Sequence, residues 1–453
     1  MNLEIERRKV NPREVALKVI EKVEKGSYSN LELNAQFKKD LSEQDKNLAT
    51  ELVYGVIKNR IRIDYIISKV SNISVGKLDN IILNILRIGV YQILFLDKIP
   101  SYAVVNESVK LAKKYRKFSA GFVNAVLRNV LRKINEIEYP DEKKEPERFL
   151  SIYYSFPKWI VARWMGLYGY EFTKELIQAL NEKPKLCIRV NTLKVGVDEL
   201  KTILEKEGYE VNKGYYIDEA LYLVKARNFT DSESFIKGYF QPQDEGSLLV
   251  VRALGVNKKD RVLDAAAAPG GKTTYIAQLM ENEGQVIAWD IHPHRLELIE
   301  KLCEKLGVSI VKTEQKDAAI IDEKYTAYFD KVLVDAPCSG LGVIKRKPDI
   351  KWSKKAEDIL LLRNEQLKLL KTCSTYVKPG GVIVYSTCTL EPSENEDVVY
   401  SFLRENGDFQ LDDLRPLLPE KLHPYIKDKG ILQTFPHIHG IDGFFIARIK
   451  RVK

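Results

Sequence analysis

Five cysteines are scattered through 453 residues, and no two share a C-x-x-C spacing. That usage suits a reducing compartment better than a disulfide framework or a zinc site. Cys187, Cys303 and Cys373 lie in ordinary apolar patterns and read as core. Cys338 and Cys388 differ: each follows a strand pattern, in LVDAPCSG and VYSTCTL, within a turn containing proline, serine or threonine. A thiol so placed suits covalent catalysis at an unreactive carbon. C5 of a pyrimidine is such a carbon, too poor a nucleophile to take a methyl group until a thiolate adds to C6. Charge then builds at N3 and O2, which calls for a proton or hydrogen-bond donor. Asp335, three residues before Cys338, fills that role if the site raises its pKa. A base must afterwards remove the C5 proton so that the thiolate can leave. One acid, one attacking thiol and one release group match Asp335 and the two cysteines. The residue types leave open which cysteine attacks. A target base inside a helix would first have to be unstacked.

A second motif, DAAAAPGGKTT, runs from Asp264 to Thr274 directly after a strand pattern and into a helical one. Small residues and two glycines let the backbone approach a ligand beside a helix N-terminus. A phosphate loop would need glycine five positions before Gly271, where Ala266 stands, so G-x4-G-K-[ST] fails, and GxGxxG is also absent. Carboxylates recur at the ends of successive strand patterns: Asp264, Asp290, Asp317 after the third, and Asp335. Asp290 is placed to accept hydrogen bonds from ribose hydroxyls. Taken together they point to a nucleoside-containing cofactor, and without a phosphate motif to methionine-linked adenosine.

The elements that must position these residues follow from periodicity. From about residue 241, strand-loop-helix repeats give RVLDAAA, QVIAWD, VSIVKT, KVLVDAP, GVIVYST and GFFIARI as strands. Such alternation predicts an α/β fold with a mostly parallel, doubly wound sheet and a ligand at the carboxyl ends of its strands. Adjacent fourth and fifth strands would open both thiols onto that crevice. Residues 11–135 read as helices, with DNIILNILRIGVYQILFL as the central buried one and Ser42 as an N-cap. SEQDKNLATELVYGVIKNRIRIDYIISKV reads as one continuous helix. EIEYPDEKKEPER reads as a linker, and the stretch to residue 240 mixes helices with the strands LCIRVNTL and LYLVKA. The expected domains are therefore 1–138, all-α; 139–240, linker and small α+β subdomain; and 241–453, α/β.

Charge is uneven. Residues 1–140 carry 25 Lys and Arg against 16 Asp and Glu, so the whole net charge of +9 lies there, with KKYRK at 113–117 its densest patch. A local cationic excess attracts polyanions. No run approaches a membrane span, and MNLEIERRKV lacks the apolar stretch of a signal peptide, which predicts a cytoplasmic location and no membrane partner.

These motifs together resemble a known family, the S-adenosylmethionine-dependent RNA cytosine-C5 methyltransferases, and within it the bacterial Fmu/Sun branch that acts on small-subunit ribosomal RNA. DAAAAPGGKT resembles its cofactor loop, DAPCSGLGVIKRKPDIKW its fourth motif, and YSTCTLEPSENE its sixth. YYSFPKWIV, IRVNTLK, FQPQDEGS and DGFFIARI are also similar, and the basic helical N-terminus resembles a NusB-like RNA-binding domain. The resemblance implies S-adenosyl-L-methionine as cofactor, held by Ala266, Ala267, Ala268, Pro269, Gly270, Gly271 and Lys272 with Asp290, Asp317 and Asp335. It implies that Cys388 attacks C6 and Cys338 aids release, although DNA cytosine-C5 methyltransferases attack with the cysteine that follows proline. Ala266 stands where many members have cysteine. The implied partner is small-subunit ribosomal RNA before full assembly, met by a monomer without a metal. The basic residues after Cys338, namely Lys345, Arg346, Lys347, Lys351, Lys354 and Lys355 with Trp352 among them, read either as phosphate and base contacts or as a solvated charged loop. Three other readings compete. An amino-group methyltransferase would carry [DN]PP[YF] where DAPC stands, and neither His292/His294 nor His437/His439 has a further ligand at metal spacing. A non-catalytic RNA-binding assembly factor would not need Cys388.

Overall fold

The computed structural model describes residues 10–37, 41–224 and 229–453. The reading of residues 1–9 and the last two residues of the expected strand LYLVKA lie outside the described residues. The chain forms two compact units, Met1–Asn181 with Lys347–Lys354, and Glu182–Arg346 with Lys355–Lys453.

The first unit is helical: α1 (Pro12–Val23), α2 (Ser29–Phe37), α3 (Glu43–Lys58), α4 (Arg60–Val70), α5 (Asn80–Phe95), α6 (Ser101–Tyr115), α7 (Ala120–Lys133), α8 (Pro146–Tyr153), α9 (Lys158–Tyr168) and α10 (Tyr170–Asn181). Ser42 caps α3 by accepting the Asp45 N–H, and Asp79 caps α5 through Ile81 and Ile82. α5 is the central helix, its Ile85, Leu86 and Val90 fully buried. Its buried Arg87 is compensated by Asp64 at 2.7 Å and Glu24 at 2.6 Å.

One expected helix is two. The segment from Ser42 to Val70 breaks at Asn59 because its hydrogen bonds are diverted. The Ile57 carbonyl accepts the Trp352 indole N–H at 2.8 Å, the Lys58 carbonyl accepts Lys351 Nζ at 3.2 Å, and the Ile61 N–H turns to Ser155 Oγ at 2.9 Å. Periodicity cannot register partners supplied from almost 300 residues away. The basic stretch after Cys338 therefore has a third fate. Lys351 is 1% exposed, bonded also to the Ser155 carbonyl and Asn181 Oδ1, and it lies over the Phe156 ring. Asp349 is buried and accepts the Ser29 hydroxyl. Segment 347–354 is part of the helical core, so neither Lys351 nor Trp352 is placed as an exposed RNA contact. Lys345 pairs with Glu182 and Arg346 with Asp244 and Asp442, while Lys347 and Lys355 stay exposed and Lys354 half-buried.

The second unit holds two sheets. β1 (Leu186–Val190), β2 (Val211–Lys213), β3 (Ala220–Leu223) and β4 (Phe240–Pro242) form a small antiparallel sheet in the order β2-β3-β1-β4. The large sheet comprises β5 (Arg261–Asp264), β6 (Gln285–Asp290), β7 (Val311–Gln315), β8 (Phe329–Asp335), β9 (Val377–Thr387), β10 (Phe409–Leu411), β11 (Ile426–Lys427), β12 (Ile431–Gln433) and β13 (Phe445–Arg451). β9-β8-β5-β6-β7 is a parallel core, and β13, β12 and β11 continue from β9 as an antiparallel edge. All six expected strands are present; the short β10, β11 and β12 carry too few residues to show a period. The strand order reverses between β5 and β8, which puts the crevice at their carboxyl ends. Helices α8, α9 and α10 cluster with the first unit and the small sheet with the second, whereas the sequence reading groups them in one subdomain.

Candidate active site

β5 delivers its last residue, Asp264, fully buried at the head of the glycine turn. The Thr273 hydroxyl donates to one carboxylate oxygen at 2.7 Å. The other oxygen is buried without a hydrogen bond of normal geometry; the nearby Ala266 N–H eases its charge without pairing with it. Burial, opposed by Thr273 and reinforced by Asp335, pushes this carboxyl up to about 6. The turn closes through Gly270 N–H to the Ala267 carbonyl, at φ +100°, where a Cβ would also meet the backbone of Ile299 at 3.2 Å. Only glycine fits there. Helix Gly271–Leu279 follows, and Arg189 of β1, buried in the small sheet, donates to the Gly271 carbonyl at 2.7 Å and to Thr274 Oγ1 at 3.0 Å. The small sheet thus braces the turn.

Asp290 ends β6, nearly buried, and accepts the His292 N–H at 2.9 Å. Asp317 follows β7, is exposed, and accepts the Ala319 N–H at 2.9 Å. Asp335 ends β8. It receives Lys272 Nζ at 2.5 Å and the Ser386 hydroxyl at 2.8 Å. Both neighbours donate to this carboxylate. Burial works against the Lys272 ammonium, but Asp335, Cys388 and Asp264 outweigh it and hold its pKa above the ordinary value.

The parallel pair β8–β9 brings the thiols together. Asp335 is in register with Ser386, so the turns holding Cys338 and Cys388 leave the sheet side by side. Their sulfurs are 3.4 Å apart, and the Cys388 N–H donates to the Cys338 sulfur at 3.3 Å. Both side chains are half-buried. The Cys338 thiol is pushed up by its bond to Cys388 and then by burial. Gly342 lies against the Cys388 turn: its N–H donates to the Cys388 carbonyl at 2.9 Å, and a Cβ would sit 2.1 Å from the Gly443 oxygen. Cys187, Cys303 and Cys373 are buried, as expected of core residues.

Ser386, Arg189 and Glu394 escaped the sequence reading as site residues, although VYSTC, IRVNTLK and SENE carried them. Among the described residues no group of three or more His, Cys, Asp or Glu is placed to hold a metal, and no helix is long and apolar enough to cross a membrane. The buried, unpartnered Asp264 oxygen, the alanine-lined turn and the strand-end acceptors fit a ligand that presents amine and ribose hydroxyl donors. They do not fit one that presents a triphosphate.

Doubly wound sheet, glycine turn and strand-end carboxylates define a Rossmann-like methyltransferase. A family model described as 16S rRNA methyltransferase RsmB/F matches residues 251–450, a NusB family model residues 10–132, and a model of an RsmF/B-like ferredoxin-like domain residues 156–230. A Bacillus subtilis (strain 168) protein named "Probable ribosomal RNA small subunit methyltransferase B" is 40% identical over 98% of this chain and 99% of its own. The crystal structure of PH0851 covers 98% of the chain and 99% of its own, with a TM-score of 0.82 at 28% identity. That of NSun6 from Pyrococcus horikoshii with SFG covers 66% of the chain and 99% of its own, with a TM-score of 0.58 at 27% identity. The chain belongs to the ribosomal RNA small subunit methyltransferase B family.

Proposed function

We propose that this chain transfers a methyl group from S-adenosyl-L-methionine to C5 of a cytosine in small-subunit ribosomal RNA through a covalent adduct between cysteine and C6. The single observation that carries the reading is the contact of two thiols at the ends of adjacent parallel strands, beside the Asp335–Lys272 pair. When bound, the cofactor supplies an electrophilic methyl group. Ala266 to Lys272, with Asp290, Asp317 and Asp335, are the residues assigned to hold it. Asp264, with its unpartnered oxygen, joins them.

Cys388 attacks C6. Cys338 is the poorer attacker because its contact with Cys388 and its burial keep its own proton in place. The hydrogen bond between the thiols stabilises a Cys388 thiolate in the meantime. Asp335 lies at the ring, and Lys272 supplies the proton that Asp335 relays to N3 or with which it shields O2. After transfer, with Cys388 bonded to C6 and no longer raising the Cys338 thiol, Cys338 gives its proton to solvent and accepts that of C5; the C5–H electron pair re-forms C5=C6, and the C6–sulfur bond breaks to return the Cys388 thiolate. The family relationship and the SFG-bound relative, SFG being an analogue of the cofactor, support the choice of cofactor. The relative's name supports the choice of ribosomal RNA.

The test uses full-length protein, S-adenosylmethionine and small-subunit ribosomal RNA. Cys388→Ala is expected to abolish methyl transfer and form no adduct, and Cys338→Ala to accumulate a denaturation-resistant protein–RNA complex. Trapping by Cys388→Ala would reverse the assignment. Bisulfite mapping of the product RNA identifies the cytosine, and methylation at a base nitrogen would refute the C5 reading.

A further inference from the structure

Each thiol is followed in the chain by a hydroxyl residue, Ser339 after Cys338 and Thr389 after Cys388. The two hydroxyls lie 2.6 Å apart. Ser339 donates to Glu394 Oε1 at 2.5 Å, which leaves Thr389, 3.4 Å from the same oxygen, to donate to Ser339. Glu394 Oε2 accepts the Ser339 backbone N–H and the Gln366 side-chain amide, each at 2.9 Å. The same Gln366 nitrogen holds the Pro337 carbonyl at 2.9 Å. The Glu394 main-chain carbonyl is held by the Tyr385 hydroxyl at 2.6 Å, and Tyr385 lies in β9. Glu394 and Thr389 are 0% exposed, and Ser339 and Gln366 1%.

A carboxylate buried this deeply is expensive to desolvate, and an apolar side chain would fill the space at less cost. Its three donors are the Ser339 hydroxyl and N–H of the Pro337–Ser339 turn and the Gln366 amide of helix Ala356–Ser374, while Thr389, beside Cys388, joins through the Ser339 hydroxyl. They fix both thiol-bearing turns to one point. The group ties together the turns that carry the sulfurs, so it acts through position. Electrostatically, Glu394 adds only a lesser push to the Cys338 thiol, after Cys388 and burial.

We propose that Glu394 is a positioning residue that, through Ser339 and Thr389, sets the separation of the Cys338 and Cys388 sulfurs. The catalytic consequence rests on the function proposed above; the separation itself does not. Two thiols in contact are captured together by a trivalent arsenical. Phenylarsine oxide forms two S–As bonds, its oxygen leaves as water with the two thiol protons, and no oxidation state changes. Capture therefore reads sulfur separation without RNA or cofactor.

The full chain and Ser339→Ala, Thr389→Val, Glu394→Leu and Glu394→Gln variants are titrated with phenylarsine oxide, with the thermal midpoint measured alongside. Ser339→Ala and Glu394→Leu are expected to weaken bidentate capture roughly tenfold or more, the loss of one or more charge-assisted hydrogen bonds. Glu394→Gln can turn its oxygen to the two N–H donors and its amide to the Ser339 hydroxyl, so it should restore most of the capture. In methyl transfer, Ser339→Ala should lower kcat at unchanged KM. Should Glu394→Leu not fold, Ser339→Ala decides. Capture at the native affinity by Ser339→Ala overturns the proposal. So does equal loss in Glu394→Gln and Glu394→Leu, which would make charge rather than position the cause. Native capture without any methyl transfer by the parent chain would leave the positioning role standing and refute the function.

Discussion

Replacing Lys351 by methionine removes a buried cation while keeping the length of the side chain. The ammonium makes three hydrogen bonds, at 2.9, 3.1 and 3.2 Å, and sits 3.6 Å from the Phe156 ring centroid. Leaving three acceptors without their donor costs about 1 kcal/mol each at the low end, and losing a desolvated cation–π contact about 2 kcal/mol more. Against this gross loss of about 5 kcal/mol stands relief from burying a charge, several kcal/mol in real proteins. The net expectation is destabilisation of the helical unit by about 1–3 kcal/mol near neutral pH. Burial, helped by Lys58, drives the Lys351 pKa well below 10.5. In the window between that lowered value and the unfolded one, the unfolded chain binds more protons. Stability of the parent protein therefore rises with pH there, by up to about 1.4 kcal/mol per unit, and the methionine variant lacks this slope. Urea unfolding followed by tryptophan fluorescence at several pH values checks both points, with Trp352 beside the site as a local reporter. A variant as stable as the parent at neutral pH, with the same pH slope, would refute the account of Lys351 as a bonded internal cation.

Two further outcomes follow from the site. Asp264 is raised from 3.8 to about 6, so if the proposed cofactor site uses its carboxylate, affinity should be flat above pH 6 and fall about tenfold per unit below it. Calorimetric titration with S-adenosylmethionine should show that dependence vanish in Asp264→Asn, and a pH-independent affinity in the parent would remove Asp264 from the site. Burial raises the thiols of Cys187 and Cys373, and that of Cys303 to about 11, while its bond to Cys388 raises that of Cys338. At pH 8 a thiol with a pKa of 11 is ionised about one part in a thousand. Iodoacetamide labelling read by mass spectrometry should therefore begin at Cys388, and faster modification of any other cysteine would contradict the proposed order of the two thiols.

Local pattern carried much of this protein. Alternating strand and helix periods marked β5, β6, β7, β8, β9 and β13 and the helices between them, because those periods are written in neighbouring residues. The same frame set Asp264, Asp290, Asp335, Cys338 and Cys388 at strand ends, since an apolar run of fixed length fixes where a turn begins. What it did not carry is pairing across distance. Nothing near Lys351 or Trp352 marks them as core: a basic, aromatic stretch has the same composition whether it meets RNA or the carbonyls of a helix far back in the chain. Nor does DAPC reveal that Asp335 receives the ammonium of Lys272, or SENE that Glu394 ties the two thiol turns together. By itself the sequence determined which groups stand at the ends of the strands. The tertiary structure decided which of them touch: sheet order brings β8 beside β5 as well as beside its chain neighbour β9, and the turns after β8 and β9 set two sulfurs 3.4 Å apart.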